Sequence, residues 1–308
     1  MKPPKLKLQS VVRLWDHAPH NAFTDLIRHQ GRWYCAFREA SAHISLDGVI
    51  RILSSPDALH WQSHTVLHQP GADLRDPTFS ITPTGELMIC CALMHPPLER
   101  PVFRSRVYHS SDGHHWQPSD GIAADNDWLW RVNWHQGQAL GLAYGCDEDQ
   151  HVSLLTSGDG RRFLPLVPRL QSAHFPTESA LAFDGDTAVC LLRRDGHRAT
   201  ALLGTAAPPF VDWQWRDLRR RIGGPQLIIS KEGHWLAAVR LHDRRVRTAV
   251  CHVDSRRARL VELLTLPSGG DCSYPGMVQD EQRLWISYYS SHEGRTAIYL
   301  ACAEFRLA

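Results

Sequence analysis

The chain has 308 residues, of which 43% are hydrophobic, so it can bury a substantial core. Its net charge of +2 gives no overall attraction to nucleic acid or an anionic membrane, and no apolar run reaches the roughly 18 residues of a membrane-spanning helix. The charged N-terminus lacks a continuous apolar stretch, so we read no secretion signal and expect a cytoplasmic protein.

Most of the eight cysteines lie inside apolar runs, such as Cys35 in WYCAF and Cys190 in AVCLL. There is no CxxC pair, and none of the nineteen histidines falls in an HExxH frame. We therefore expect buried, reduced thiols and neither a metal nor an organic cofactor.

In chain order, a strand-like run, KLKLQSVVRLW (residues 5–15), comes first, and TAIYLACAEFRL (residues 296–307) comes last. Between them, six segments each consist of an apolar run, a short polar turn and a second apolar run. Their turn positions are Gly31, Gly85, Gly137, Gly185, Gly233 and Gln282, spaced by 54, 52, 48, 48 and 49 residues. Because the runs are short and rich in β-branched and aromatic residues, each segment predicts a β-hairpin.

A sheet built on one hairpin cannot bury both of its faces alone, and radial stacking of six such sheets solves this problem. We therefore predict an all-β fold, a six-bladed β-propeller formed by residues 1–308 as a single domain. Both terminal runs are expected in the last blade, with the N-terminal strand on its outside, where it hides a sheet edge.

A second pattern recurs between the hairpins, with a serine two residues before an aspartate and an aromatic residue four after it. The three examples are SPDALHW from Ser55, SSDGHHW from Ser110 and SGDGRRF from Ser157. We expect a tight turn in which the aspartate accepts backbone N–H groups and the aromatic residue packs between sheets.

These turns resemble the Asp-box repeat, S-x-D-x-G-x-x-W, of the sialidase-like (neuraminidase) superfamily of six-bladed propellers, in a variant one residue shorter. The resemblance covers nearly the whole chain. It implies a cavity where polar residues that open the blades converge, among them Asn21, Thr24, Asp25, Arg75, Asp76, Arg131, Thr177, Glu178, Gln226, Ser273 and Tyr274.

Sialidases use a tyrosine nucleophile activated by a glutamate. Tyr274 in DCSYPGMV resembles that nucleophile, and Glu178 in PTESAL resembles its partner. The family also binds a sugar carboxylate with three arginines, because a guanidinium can donate two parallel hydrogen bonds to a carboxylate. The resemblance implies Arg194, or its neighbour Arg193, as the second arginine and Arg240 as the third.

The acid/base aspartate implied by the resemblance is Asp47, although His43 lies close enough in sequence to contest the role. The family's first arginine should open blade one in an RIP-like motif, and this chain has HNAFTDLI there instead. Arg13 and Arg38 are the nearest arginines, and neither holds the matching position. Further candidate substrate contacts are Arg38 and, at the blade openings, Asp25, Arg75 and Asp76.

Two functions remain open. The first is a sialidase-like retaining exo-glycosidase that acts on an acidic or other sugar. The second is a glycan-binding or scaffold propeller without hydrolysis, which the missing arginine favours. Either has a small sugar or glycan as partner. A basic band over residues 216–259 lacks interleaved aromatic residues, so we interpret it as solvated loops and expect no nucleic-acid or membrane partner.

Overall fold

The computed structural model describes residues 2–306, which form 24 β-strands and no α-helix. The strands make six four-stranded antiparallel sheets, and the predicted all-β six-bladed propeller is confirmed. The chain divides into two compact units, which we call the middle unit (His17–Ala173) and the terminal unit (residues up to Asp16 and from His174 onward). No helix that could cross a lipid bilayer occurs among the described residues.

The first strand of the chain is β1 (Lys5–Trp15), and the twelve that follow form three sheets of the middle unit, each ordered as in the sequence. These strands are β2 (His20–His29), β3 (Arg32–Ala40), β4 (Val49–Ser55), β5 (Gln62–Leu67), β6 (Asp73–Ile81), β7 (Leu87–His95), β8 (Val102–Ser110), β9 (Gln117–Ser119), β10 (Asp127–His135), β11 (Gln138–Gly145), β12 (Val152–Ser157) and β13 (Leu164–Gln171).

The terminal unit contains the other three sheets, formed by β1 and the last eleven strands. These strands are β14 (Pro176–Asp184), β15 (Thr187–Arg194), β16 (Leu202–Ala206), β17 (Gln214–Asp217), β18 (Ile222–Ile229), β19 (Trp235–Leu241), β20 (Arg247–Asp254), β21 (Arg259–Thr265), β22 (Cys272–Asp280), β23 (Arg283–Ser290) and β24 (Ala297–Arg306). The last sheet has the order β1-β24-β23-β22, which confirms that the N-terminal strand lies outside the C-terminal one.

The Ser-x-Asp pattern forms the turns that the sequence predicts. In the second turn, Asp112 accepts hydrogen bonds from the backbone N–H groups of His114 and His115, both at 2.8 Å. These bonds and one from the His115 ring hold the pKa of Asp112 well below its usual range. Gly113 has φ +78° and lies against Tyr34 of the neighbouring sheet, where a Cβ would stand 2.6 Å from the phenol oxygen.

Apolar residues pack between neighbouring sheets within each unit. In the middle unit Ile50 and Ile52 belong to the same cluster as Leu87 and Ile89, and all four are fully buried. Every cysteine is a free thiol and seven are buried, as the sequence predicts; Cys146 is half-buried. Burial raises the pKa of Cys90 to about 12, so this thiol is unreactive.

One strand of each sheet, which we call its leading strand, contains a β-bulge close to its start; the leading strands are β2, β6, β10, β14, β18 and β22. The register shifts fall at Ala22/Asp25, Arg75/Thr78, Leu129/Arg131, Pro176/Ser179, Gly223/Gln226 and Ser273/Gly276. Several residues inside the bulges adopt positive φ, including Asp76 at 50° and Tyr274 at 47°. Bulges redirect side chains and concentrate beside functional sites. Functional residues are therefore expected at the starts of the leading strands.

Candidate active site

The predicted pair of Glu178 and Tyr274 comes together in the terminal unit. Glu178 lies near the start of β14 and Tyr274 near the start of β22. The phenol oxygen of Tyr274 donates a short hydrogen bond of 2.5 Å to Oε1 of Glu178. The carboxylate is buried, whereas the tyrosine is half-buried and thus open to a ligand. A phenol in direct contact with a carboxylate is the arrangement that activates a tyrosine as a nucleophile.

Arg193, at the end of β15, completes the pair. Its Nη1 donates to Oε1 of Glu178 at 2.6 Å and to the Tyr274 oxygen at 3.2 Å. Its Nε donates to Asp195 at 2.9 Å, and Asp195 also accepts a hydrogen bond of 3.2 Å from Thr177. The guanidinium is therefore fixed from two sides and links the carboxylate to the phenol.

Arg194, the first choice from the sequence, does not contact the pair. Its Nε donates to the carbonyl oxygen of Thr200 at 2.6 Å and its Nη2 to Asp217 at 2.8 Å, on the outer side of the sheet. Neighbouring residues of a strand point to opposite faces, so only one of the two arginines can face Glu178. The structure thus brings Arg193, the alternative named from the sequence, to the Glu178–Tyr274 pair, and it does not bring Arg194 there.

The carboxyl of Glu178 is held in its ionised form. Burial alone would raise its pKa. The positive charge of Arg193 and hydrogen bonds from Arg193, Tyr274 and the backbone N–H of Gly224 outweigh burial, so the pKa of Glu178 is lowered. The Gly224 bond measures 2.7 Å to Oε2. Both carboxylate oxygens thus have partners, and Glu178 is ionised at neutral pH.

Arg240, predicted as a substrate arginine, lies over the ring of Tyr274, with Cζ 5.2 Å from the ring centre, within cation–π range. Its Nε donates to the Cys272 carbonyl oxygen at 2.7 Å and its Nη2 to the Tyr289 oxygen at 3.0 Å. Tyr289 in turn donates to Asp271 at 2.6 Å. Burial opposes the charge of Arg240, but these negative and polar partners raise its pKa, so it stays a cation.

Each of the two arginines keeps one nitrogen without a hydrogen bond to residues 2–306. These atoms are Nη2 of Arg193 and Nη1 of Arg240. Both side chains are partly exposed, at 18% and 15%. They can therefore donate to an anionic ligand at Tyr274 without losing their present contacts.

In the middle unit Arg38 forms a buried network rather than an open contact. Its Nε and Nη2 donate to Asp73 at 2.8 and 3.0 Å, and its Nη2 also donates to Ser45 at 2.8 Å. The side chains of Arg38 and Asp73 are both fully buried. We therefore assign Arg38 to the support of this network, which corrects the expectation that it contacts substrate.

Arg75 joins this network from the bulge of β6. Its Nη1 donates to Asp73 at 3.1 Å and to the backbone oxygen of His43 at 3.0 Å, and its guanidinium lies 5.2 Å from the ring centre of Phe23. The adjacent Asp76 has its Oδ2 3.8 Å from Nε of Arg75. Both residues are largely buried, so an ion pair is present here and a substrate contact stays a prediction.

Asp25 pairs with Arg131 across two leading strands of the middle unit, at 3.1 Å, and accepts a 2.7 Å hydrogen bond from the backbone N–H of Phe79. Burial raises its pKa, and the positive charge of Arg131 opposes this without cancelling it. The side chain is 2% exposed. The structure thus shows a role for Asp25 in joining strands, and its predicted sugar contact stays a prediction.

Asp47, the predicted acid, lies in the exposed loop between β3 and β4. The backbone N–H of Ser41 bonds both carboxylate oxygens at 3.2 Å, and the Ser41 hydroxyl donates to Oδ1 at 3.1 Å. Burial alone would raise the pKa of Asp47, but hydrogen bonds from Ser45 and Ser41 together outweigh it and lower the pKa. A general acid needs a raised pKa, so this environment does not favour the role. His43, the alternative, is exposed and packs edge-on against Phe23.

No protein-family model matches the sequence, and no curated protein matches it. Solved structures share its fold. A protein of unknown function from Dyadobacter fermentans superposes with a TM-score of 0.86 at 18% identity, over 99% of this chain and 100% of the other.

Two enzymes share the fold at lower identity. The GH93 α-L-arabinofuranosidase of Fusarium graminearum has a TM-score of 0.74 at 13% identity, over 96% and 98% of the two chains. The Trypanosoma rangeli sialidase has a TM-score of 0.73 at 11% identity, and the match covers 97% of this chain and 60% of the sialidase. The chain therefore has the sialidase-like six-bladed propeller fold that the resemblance predicts.

Proposed function

We propose that this protein is a retaining glycosidase in which Tyr274 is the nucleophile and Glu178 its base. The single observation that carries the proposal is the 2.5 Å hydrogen bond from the phenol of Tyr274 to the ionised Glu178. A free phenol has a pKa of about 10 and is a poor nucleophile, so direct contact with a base supplies what the reaction needs. The arabinofuranosidase and sialidase that share the fold are consistent with sugar chemistry.

In the first step, the Tyr274 oxygen forms a bond to the anomeric carbon while the glycosidic C–O bond breaks. The phenol proton passes to Glu178, and the leaving oxygen takes a proton from an acid. In the second step, water attacks the anomeric carbon as its bond to the Tyr274 oxygen breaks; the deprotonated acid takes a proton from the water, and the phenol takes its proton back from Glu178. Asp47 is the acid implied by the sequence resemblance. Because its pKa is lowered, an enzyme that depends on it is expected to work best in acidic solution.

The arginines support an anionic sugar as substrate. Arg193 and Arg240 both lie against Tyr274 and each has a nitrogen available for a ligand. A neutral phenol does not repel an anionic sugar, whereas a carboxylate nucleophile does. Two arginines take the place of the three expected of a sialidase, so an acidic sugar other than sialic acid fits as well.

A non-catalytic glycan-binding propeller is the second candidate, and the ion pair between Arg193 and Glu178 favours it. The 2.6 Å contact stabilises the carboxylate and so weakens it as a base. A protein that only binds an anionic glycan needs the arginines and has no use for an activated phenol.

The two candidates are separated by a panel of aryl glycosides that includes sialosides, glucuronides and α-L-arabinofuranosides. The variant is Tyr274→Phe, and the matched control is Tyr288→Phe, which removes a phenol that donates to the Pro267 carbonyl oxygen. We expect release by the native protein and the control, and a loss of about a thousandfold or more in Tyr274→Phe. A fluorinated aryl glycoside should also label Tyr274 covalently, as read by mass spectrometry.

No release of any aglycone, together with retained binding of an anionic glycan in both variants, would establish the binding function instead. Release that is unchanged in Tyr274→Phe would remove the tyrosine from the mechanism.

A further inference from the structure

The basic band of residues 216–259 divides into two kinds of arginine. Arg247 and Arg220 are bound by carboxylates: Arg247 donates to Glu262 at 2.6 Å and to Asp243 at 2.6 Å, and Arg220 donates twice to Asp243. These arginines hold the sheet of β18 to β21 together.

Other arginines of the band have no such partner. The side chains of Arg219, Arg244 and Arg245 make no hydrogen bond or ion pair with residues 2–306, and Arg221 reaches only Asp195, at 3.8 Å. All four are exposed. They lie in two links: residues 218–221 lead into β18, and residues 242–246 join β19 to β20. Both links lie at the same end of the sheet of β18 to β21. Uncompensated cations are thus concentrated at one place.

A groove of about 530 Å³ lies between these links and is lined by Arg219, Arg220, Arg221 and His242 among others. This volume falls within the range of small-ligand pockets, about 300–1,000 Å³. Asp243 is the only acidic residue among the residues that line it, and it is occupied by Arg220 and Arg247. The groove therefore presents a positive surface to a ligand.

The groove adjoins the candidate active site. Asp195 touches Arg193 on one side, at 2.9 Å, and Arg221 on the other, at 3.8 Å. His242 lies beside Gly223, and burial together with the charges of Arg240, Arg221 and Arg193 lowers its pKa to about 4. His242 is thus a neutral hydrogen-bonding group at pH 7, between two sets of cations.

We propose that this groove binds a second anionic group, a sulfate, phosphate or carboxylate, carried by the glycan whose reacting sugar lies at Tyr274. Arg219 and Arg221 supply forked guanidinium donors for such a group. The proposal rests on the proposed function for the identity of the glycan. It narrows the substrate class to glycans that carry at least two anionic groups.

The test compares Arg219→Ala/Arg221→Ala with the control Arg256→Ala/Arg257→Ala. The control removes the same charge from the link between β20 and β21, at the other end of the same sheet. The probes are a trisaccharide with an acidic terminal sugar and a sulfate on another unit, its phosphorylated and carboxylated counterparts, and the parent that has the acidic sugar but no second charge. Binding is measured by calorimetry at fixed ionic strength, in the native and Tyr274→Phe backgrounds.

We expect at least one probe with the second charge to bind about tenfold more tightly than the parent, the first variant to lose this preference, and the control to stay within about twofold of the native protein. The three probes with a second charge identify the anion. An equal loss in both double variants would show a general charge effect and overturn the proposal, as would equally tight binding of a single-stranded oligonucleotide.

The outcome is separable from that of the proposed function. A charge preference that survives in Tyr274→Phe, without hydrolysis by the native protein, supports the groove and refutes the glycosidase. Hydrolysis without any charge preference refutes the groove alone.

Discussion

Gly224 offers the sharpest test of the candidate site, because it contacts both Glu178 and Tyr274. Its N–H donates to Glu178 at 2.7 Å, and its backbone has φ +52°. A Cβ added at this position would stand 2.9 Å from the Tyr274 ring atoms Cγ and Cδ2 and 3.0 Å from the Tyr274 backbone nitrogen. Gly224→Ala is therefore expected to push Tyr274, the proposed nucleophile, away from Glu178.

The magnitude follows from these distances. An ordinary Cβ contact begins near 3.4 Å, so the ring or the strand must move by about 0.5 Å. A displacement of about 1 Å at reacting groups can cost roughly a hundredfold in rate, so half that distance is expected to cost roughly tenfold or more. The left-handed backbone adds a loss of about 1–2 kcal/mol in the free energy of unfolding.

The neighbouring Gly223 provides the control. A Cβ there meets its nearest atom, Nε2 of His242, at 3.4 Å, and the backbone is not left-handed. We expect Gly223→Ala to change the rate by less than about threefold and the stability by less than about 1 kcal/mol. The rates are measured on the glycoside that the panel identifies, and stability by urea denaturation. Equal activity of the two variants would refute the assignment of the Tyr274–Glu178 contact to catalysis.

Three further predictions concern stability. Because the pKa of Glu178 is lowered in the folded protein, its ionised carboxylate stabilises the fold above the ordinary pKa of about 4.3, and this contribution is lost as the pH falls through the folded-state pKa. The difference in the free energy of unfolding between the native protein and Glu178→Gln should therefore become smaller from pH 7 to pH 3, as measured by urea denaturation. Gly113→Ala should lower the free energy of unfolding by about 1–2 kcal/mol more than Gly31→Ala, since both have φ +78° but only the first meets a phenol, and equal losses would contradict this. Asp73→Asn should cost about 3 kcal/mol by leaving the buried Arg38 without its carboxylate, as measured by denaturant unfolding, and a loss below about 1 kcal/mol would show that the pair is dispensable.

The architecture could be read from the sequence because it is repeated. Turn residues at intervals near fifty place six hairpins, and each appears where the turn predicts it. Glu178 and Tyr274 could also be predicted as candidate site residues, since both precede an apolar run that begins a blade. A short-range pattern repeated six times suffices for the fold and for the openings of its blades.

The repeated hairpin pattern does not predict the orientation of individual side chains. Whether Arg193 or Arg194 faces Glu178 depends on the register of β15 against β14, and a bulge between Pro176 and Ser179 shifts that register. A shift of one residue exchanges the two faces of a strand. The segment from Pro176 to Ser179 does not by itself show which of its residues is left unpaired by the bulge. The burial of Arg38 could not be predicted either, because its partner Asp73 lies 35 residues away in the sequence.

The two proposed functions place opposite demands on Arg193. In the free protein its guanidinium stabilises the charge of Glu178, which suits a binding site and weakens a base. An anionic sugar at Tyr274 would compete for the same guanidinium, and Asp195 would still hold Nε while Nη1 and Nη2 turn toward the ligand. Glu178 would then lose its strongest positive neighbour and become a better acceptor for the phenol proton. The ion pair that argues for a passive binder in the free protein is thus also consistent with a base that becomes stronger only when an anionic substrate is bound.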